Sequence, residues 1–263
     1  MLKARILTAV VALALVGVVL FVLPVRYAEI IIGLLLLAGA WEWSSFLKTS
    51  SSRLRFFYTA LVGICLVVVD FASAEQTNLL LLVACAWWVV AFLWTFRYPT
   101  AIPEVVRWIS GVLVIVPLFA ALVALLRLGV EYLIFVLLIV WLADGGAYFA
   151  GKKFGRVKLA PSISPNKTWE GVVGGMVLVA ALAVAAALFR DIPVNVLLPF
   201  CLAAGAISVI GDLTVSMFKR TAGVKDSGSL FPGHGGVLDR IDSVAAAAPL
   251  FVLGLVWLGL VPA

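Results

Sequence analysis

Long uninterrupted runs of apolar residues constrain this chain more than any other feature. Nine of them are long enough, or nearly so, to cross about 30 Å of hydrocarbon as helices of roughly 20 residues. We place them at Ile6–Leu23, Tyr27–Leu47, Phe56–Phe71, Leu79–Phe96, Trp108–Leu126, Tyr132–Phe149, Trp169–Phe189, Val194–Phe218 and Ile241–Leu260. A backbone in hydrocarbon must satisfy its own hydrogen bonds, which helices do. The runs therefore predict an all-α, polytopic integral membrane protein with about nine transmembrane helices.

Lys and Arg residues are distributed unevenly between the two sides that nine spans would create. All but three of the 19 fall in segments on the N-terminal side, the exceptions being Arg26, Arg127 and Arg190. The positive-inside rule therefore places the N terminus in the cytoplasm and the C terminus outside. This distribution explains the net charge of +6, and we expect no nucleic-acid partner. The first run could be a signal peptide, but its length favours a retained span.

Polar residues divide the chain into two unequal regions. Residues 1–130 are predicted to form about five membrane spans joined by short loops. Residues 131–263 are predicted to form a catalytic membrane region with cytoplasmic loops at 150–168 and 219–240. In the first region, Glu42 lies near the cytoplasmic end of a span. A carboxylate inside a span is expected to be functional, although one so near the interface could simply reach water.

The predicted cytoplasmic loop at 150–168 lies between two acidic residues at helix ends, Asp144 and Glu170. Lys167 comes just before span seven, and the free N–H groups at a helix N terminus favour phosphate, so we expect Lys167 to contact phosphate. Gly171 and Gly175 have GxxxG spacing, which predicts close helix packing within one subunit or between two. Four other cations are expected to contact anionic lipid head groups: Lys152, Lys153, Arg156 and Lys158.

The second loop carries a glycine cluster at residues 232–236 that contains His234. Such a cluster predicts either a tight turn whose N–H groups bind an anion or a plain turn. Because His234 is the single histidine, a multi-histidine zinc site is excluded. Asp239 and Asp242 would share one helix face, and with Asp212 on the preceding helix they could hold Mg²⁺, which prefers carboxylate oxygens and substrate phosphates.

Two blocks of this region resemble the signature of phosphatidate cytidylyltransferases, also called CDP-diacylglycerol synthases. One block reads S-x-x-K-R-x4-K-D, followed by P-G-H-G-G-x-x-D-R-x-D, and the resemblance covers roughly residues 140–243. The residues that match this block are Ser216, Lys219, Arg220, Lys225, Asp226, residues 232–236, Asp239, Arg240 and Asp242. The other block reads D-G-G-A-Y from Asp144 and S-P-N-K-T-W-E-G from Ser164.

The resemblance implies that CTP and phosphatidic acid react to give CDP-diacylglycerol and pyrophosphate with Mg²⁺. It also implies a multi-pass protein of the inner (plasma) membrane, a site facing the cytoplasm, and a homodimer. The implied metal ligands are Asp212, Asp239 and Asp242, with Asp144 as a further candidate; a second or a monovalent cation stays an open alternative. The implied catalytic residues are Asp144, Lys167, Glu170, Lys219, Arg220, Lys225, Asp226, His234 and Arg240. The implied substrate-binding residues are Ser216, Gly235 and Gly236, together with Lys167, Lys219, Arg220, Lys225 and Arg240.

Two other functional classes share some of these sequence features. Another CTP-using enzyme that acts on a lipid phosphate would share carboxylates and cations but need not share both blocks. An ion-coupled transporter predicts charges toward the membrane midplane and inverted repeats. Here the acidic residues cluster at one side of the spans, and the two regions differ sharply in polar content, so the enzyme is favoured.

Overall fold

The computed structural model describes residues 14–47, 51–228, 230 and 235–261. Residues 14–21 are helical, and we call this segment α1. The longer helices are α2 (Val25–Trp43), α3 (Ser52–Asp70), α4 (Ala74–Thr95), α5 (Glu104–Leu128), α6 (Val130–Phe154), α7 (Trp169–Arg190), α8 (Val194–Thr221) and α9 (Leu238–Trp257). A short 3-10 helix, Ser44–Leu47, follows α2.

Among the described residues, eight helices, α2 to α9, are long and apolar enough to cross a membrane. Each coincides with one predicted apolar run, which confirms the prediction of a polytopic membrane protein. The first predicted run, Ile6–Leu23, lies partly outside the described residues, so the total of nine stays a prediction. Most helices extend beyond their apolar runs, since a helix can continue where it leaves the hydrocarbon. Helix α6, for example, reaches Phe154 instead of the predicted Phe149.

Local signals in the sequence set several helix ends. At the start of α4, the Gln76 amide donates to the Ser73 hydroxyl at 3.3 Å, and the Ser73 amide donates to the Gln76 side chain at 3.0 Å. At the start of α7, the Gly171 amide donates to the Thr168 hydroxyl at 3.1 Å. These bonds satisfy amides that would otherwise lack a partner in the first helical turn.

The loop between α6 and α7 contains a β-hairpin, which corrects the all-α prediction. Strands β1 (Lys158–Ala160) and β2 (Ser164–Thr168) pair antiparallel, with Lys158 opposite Thr168. Pro165 argues against a strand in most sheets, because proline is tolerated only at edges, but both strands of a two-stranded sheet are edges. The hairpin leads the chain from Lys167 directly into α7.

Glycines bring α6 and α7 into the most extensive helix–helix contact of the described chain. A Cβ atom at Gly146 would lie 2.8 Å from the Cα atom of Gly175, and one at Gly171 would lie 2.8 Å from the carbonyl oxygen of Ala147. Larger residues at these positions would force the helices apart. The GxxxG pair Gly171 and Gly175 therefore packs within the subunit, against α6.

Helices α5 and α9 are the most deeply buried spans of the described chain. Helix α9 packs against α4 and α5 as well as α8, so it joins the two predicted regions of the sequence. At Gly211 a Cβ atom would overlap with the backbone oxygen of Asp242, and this close approach of α8 to α9 brings Asp212 near Asp242. By contrast, α3 and α7 expose large apolar side chains such as Phe57 and Phe189, as expected for helices that face lipid.

Four charged side chains join the ends of α2, α3 and α5, and we call them the arginine–carboxylate network. Arg26 Nη1 lies 2.9 Å from Glu29 and 2.6 Å from Asp70. Arg127 completes the network, with Nε 2.6 Å from Glu29 and Nη2 2.7 Å from Asp70. Arg26 and Arg127 were expected on the same side of the membrane, and they meet at one end of the bundle.

Candidate active site

A cleft with a volume of about 690 Å³ opens where α6, α7, α8 and α9 meet the hairpin. The predicted site residues that line it are Asp144, Lys167, Asp212, Lys219, Asp226, Asp239, Arg240 and Asp242. Residues separated by almost one hundred positions in sequence therefore meet at one place. The contacts of each residue show what the cleft can bind.

Asp212, on α8, has a hydrogen-bond or ion-pair partner at each carboxylate oxygen. The Lys167 Nζ atom, from the end of β2, lies 2.6 Å from Oδ2. The Ser216 hydroxyl, one turn later on α8, donates to Oδ1 at 3.1 Å. The side chains of Lys167 and Asp212 remain 23% and 27% exposed, so an incoming phosphate or cation can reach both. Ser216 orients Asp212 through this bond. The predicted contact between Ser216 and a substrate stays a prediction.

Asp239, in the first turn of α9, also uses both carboxylate oxygens. Lys219 Nζ donates to Oδ1 at 2.7 Å, while the amides of Ser227 and Gly236 donate to Oδ2 at 2.9 Å each. These bonds close the loop between α8 and α9. The predicted metal-ligand role of Asp239 stays a prediction, and it would require Lys219 to leave Oδ1.

Three carboxylates in the cleft come from three different helices: Asp144, Asp212 and Asp242. Asp212 is near enough to the other two to interact electrostatically with both. Within the described residues, no three of His, Cys, Asp and Glu lie close enough to form a complete metal-binding group. Mg²⁺ usually takes one or two protein carboxylates and completes its shell with water and substrate phosphates. The donors present therefore fit Mg²⁺ when a phosphate substrate supplies further ligands.

Two predicted catalytic residues, Glu170 and Arg220, lie outside the cleft lining and hold the surrounding backbone. Glu170 accepts the Val157 amide at 3.1 and 3.2 Å with its two oxygens. Arg220 donates to the backbone oxygens of Ile163 at 3.2 Å and Val224 at 3.1 Å. These contacts tie the hairpin to α7 and α8, so the structure favours supporting roles for both residues.

The glycine cluster is described only in part. His234 lies outside the described residues, so its predicted role as a donor stays a prediction. Gly235 has a φ of 84°, which a glycine adopts readily in a tight turn. The Gly236 amide donates to Asp239, so a contact with phosphate would require that bond to break. Lys225 is exposed and does not line the cleft.

Lys152 and Lys158 line the cleft, which changes their expected role as contacts for lipid head groups alone. Tyr148, Gly151 and Lys152 follow Asp144 at intervals of four, seven and eight residues and also line the cleft. This spacing places them on one helix face. The predicted end of the span at Phe149 concealed the pattern, because it assigned Lys152 to a loop.

Residues 3–258 match the family model described as the cytidylyltransferase family. A Pseudomonas aeruginosa protein named phosphatidate cytidylyltransferase is 41% identical over 266 residues, which cover 98% of this chain and 97% of that protein. A Haemophilus influenzae protein of the same name is 38% identical over 281 residues, which cover 95% of this chain and 97% of that protein. Since the family model and both relatives extend over nearly the whole chain, this protein belongs to the cytidylyltransferase family.

Proposed function

We propose that this protein transfers CMP from CTP to phosphatidate, giving CDP-diacylglycerol and pyrophosphate. The observation that carries the proposal is a cleft, at the ends of membrane-crossing helices, that combines several carboxylates with several cations in a member of the cytidylyltransferase family. The names of the two relatives support phosphatidate as the acceptor. A cleft in this place suits one soluble substrate and one lipid substrate.

The reaction exchanges one phosphorus–oxygen bond for another. A phosphate oxygen of phosphatidate bonds to the α-phosphorus of CTP. The bond from that phosphorus to the oxygen bridging the β-phosphate breaks, and pyrophosphate leaves with the electron pair. A phosphate monoester is already largely ionised at neutral pH, so no strong protein base is needed. The protein must align two anions and neutralise their charge.

Lys167, Lys219 and Arg240 are the proposed phosphate ligands. Both lysines are ion-paired with carboxylates in the cleft, so the phosphates of the substrates compete with Asp212 and Asp239 for them. Arg240 lines the cleft with its side chain exposed, and its guanidinium can bind two phosphate oxygens at once. These contacts would hold the two substrates together despite their like charges.

One or two of the carboxylates Asp144, Asp212 and Asp242 would hold Mg²⁺ together with substrate phosphates, and Asp239 is a further candidate ligand once Lys219 turns to a phosphate. A bound Mg²⁺ ion would supply charge stabilisation on the phosphate oxygens as pyrophosphate leaves. Ser216 contributes by keeping Oδ1 of Asp212 oriented, so that Oδ2 would be available to the ion once Lys167 turns from it to a phosphate. A second or a monovalent cation stays an alternative.

The cleft is further proposed to face the cytoplasm of a cell membrane, with the N terminus inside and the C terminus outside. The excess of Lys and Arg on that side supports this orientation. Phosphatidate would then enter from the inner leaflet with its acyl chains in hydrocarbon. Labelling of a cysteine introduced at Lys153 in inside-out but not right-side-out vesicles tests the orientation. The resemblance also predicts a homodimer, which the molar mass of the detergent-solubilised protein tests.

The activity is tested by giving purified protein CTP, phosphatidic acid and Mg²⁺ and measuring pyrophosphate and lipid product. We expect turnover that needs both substrates, yields CDP-diacylglycerol and stops with EDTA. Turnover with a different lipid phosphate and none with phosphatidate would contradict the proposed acceptor.

The site is tested by Asp212→Asn, which keeps the size of the side chain but removes its charge. We expect a loss of about a thousandfold in turnover, because several kcal/mol of charge stabilisation depend on this residue. Asp191→Asn is the matched control, since Asp191 ends α7 away from the cleft in a left-handed conformation that Asn tolerates. A loss below tenfold for Asp212→Asn would contradict the assigned role.

A further inference from the structure

A buried carboxylate outside the cleft lining, Glu42, contacts the start of α9. It lies near the end of α2, is 7% exposed, and takes part in no ion pair among the described residues. Glu42 accepts hydrogen bonds from the Ser227 hydroxyl at 2.8 Å, the Val237 amide at 2.9 Å and the Leu238 amide at 3.0 Å. These neutral donors satisfy a charge that would otherwise be costly to bury.

The two amides lie at the N terminus of α9, where the first N–H groups have no partner within the helix. The residue in the capping position is Val237, which has no side-chain acceptor, and α9 shows no side-chain cap bond of its own. Glu42 supplies the missing acceptor from a helix 195 residues earlier in the chain. Its negative charge also suits the positive end of the helix dipole.

Two glycines make room for this carboxylate. A Cβ atom at Gly228 or at Gly236 would overlap with the carboxylate oxygens of Glu42. Gly228 follows Ser227 and Gly236 precedes Val237, so both sides of the loop approach Glu42 closely. The position of the Glu42 carboxylate therefore restricts where Gly228 and Gly236, on the two sides of the loop between α8 and α9, can lie.

Ser227 links Glu42 to the cleft. Its hydroxyl donates to Glu42, while its amide donates to Asp239 at 2.9 Å. Leu238, whose amide donates to Glu42, comes directly before Asp239 in the first turn of α9. Glu42 and Asp239 thus hold the same loop from two sides, and any shift in one set of bonds moves the other.

We propose that Glu42 is a positioning residue for the cleft: its charge fixes the first turn of α9 and, through it, the directions of Asp239, Arg240 and Asp242. Glu42 does not line the cleft, so it acts without touching the reacting atoms. The inference rests on the function proposed above, because turnover is its principal readout.

Both oxygens of Glu42 are needed. The Val237 amide binds Oε1, whereas the Leu238 amide and the Ser227 hydroxyl bind Oε2. A glutamine would turn an NH₂ group toward at least one of these donors and leave it without an acceptor. An aspartate keeps two acceptor oxygens but is shorter by one methylene.

The test compares Glu42→Gln with Glu29→Gln. Glu29 is a matched control because it lies on the same helix, is 4% exposed, and binds two arginines away from the cleft. For Glu42→Gln we expect kcat to fall by about a hundredfold, the loss that a misplacement of about 1 Å can cause, and the Mg²⁺ concentration for half-maximal rate to rise. For Glu29→Gln we expect kcat and the Mg²⁺ requirement to stay within twofold of wild type, even if thermal stability falls.

Two further variants keep the test decisive if Glu42→Gln does not fold. Glu42→Asp should have a kcat between that of Glu42→Gln and that of the wild type, since it retains the charge. Gly228→Ala should reproduce the defect, because it crowds the carboxylate without removing it. Wild-type kcat and Mg²⁺ dependence in folded Gly228→Ala would overturn the proposal, as would a folded Glu42→Gln variant that behaves like Glu29→Gln.

Hydrogen exchange separates this inference from the proposed function. If the wild-type protein makes no CDP-diacylglycerol, the proposed function fails, and the amides of Val237 and Leu238 still report on Glu42. Faster exchange of these amides in Glu42→Gln than in Glu29→Gln supports the positioning role. Equal exchange in both variants contradicts it.

Discussion

The two ends of the helical bundle use charged residues in different ways. In the arginine–carboxylate network every one of the four charges has an oppositely charged partner. At the cleft, acidic and basic side chains are equally numerous, but Lys167 with Asp212 and Lys219 with Asp239 are the ion pairs found there among the described residues. Asp144, Asp242 and Arg240 line the cleft outside these pairs.

This difference separates stability from function. Charges near hydrocarbon are costly unless something neutralises them. The network neutralises its charges internally and joins α2, α3 and α5. The cleft keeps charges of both signs available, as a site for phosphates and a cation requires. Substitutions in the network should therefore lower stability and leave turnover almost unchanged, whereas substitutions at the cleft should lower turnover.

Among the variants that test this comparison, Lys219→Met is expected to have the largest effect on turnover and stability. The substitution removes a proposed phosphate ligand and leaves Asp239 buried without its cation, so we expect turnover to fall about a hundredfold. Stability should fall by about 3 kcal/mol, since an uncompensated charge remains. Turnover and chemical denaturation in detergent measure the two effects.

The double variant Lys219→Met with Asp239→Asn is the control for Lys219→Met. It removes both charges, so stability should recover in part while turnover stays low. Recovery of turnover together with stability would mean that Lys219 acts only through folding.

A smaller effect is expected for Lys152→Met compared with Lys153→Met, neighbours on α6 with the same charge. Lys152 lines the cleft, whereas the Lys153 Nζ atom lies 5.2 Å from the centre of the Phe154 ring. Loss of one phosphate contact of about 1.4 kcal/mol should raise KM for one substrate about tenfold in Lys152→Met. Lys153→Met should stay within twofold. Equal KM values in steady-state kinetics would place Lys152 outside the site.

The smallest effect on turnover is expected for Arg127→Met in the network. Glu29 and Asp70 would still pair with Arg26 but would have no second arginine. The free energy of unfolding should therefore fall by about 1 to 2 kcal/mol. Turnover per folded protein should stay within twofold, because the network lies away from the cleft. A tenfold loss in kcat at full folding, measured beside thermal stability, would show that the two ends are coupled.

The described membrane helices could be predicted from the sequence because each needs a long apolar run, and α2 to α9 all have one. Their ends were less accurate, since hydropathy marks the hydrocarbon boundary and not the end of the helix. The extension of α6 to Phe154 is the clearest case. The hairpin was missed because Pro161 and Pro165 read as loop residues, and two short strands have little pattern of their own.

Much of the cleft could also be predicted, because its charged residues stand out between apolar runs and match a family signature. What could not be predicted were partners that depend on three-dimensional fit. Nothing near Glu42 in the sequence indicates Ser227 or Val237 as its donors. Likewise, GxxxG spacing predicts a close contact for Gly171 and Gly175 but does not identify α6 as the helix they meet.

The glycine contact between α6 and α7 has a consequence for attempts to change which acceptor lipids the enzyme uses. Because backbone meets backbone at Gly151 and Gly171, which line the cleft, this wall of the site cannot be enlarged by trimming a side chain. Tyr148, on the cleft face of α6 and largely exposed, offers volume that can be removed. A library directed at bulkier head groups should therefore accumulate its successful substitutions around Tyr148 and leave the glycines unchanged.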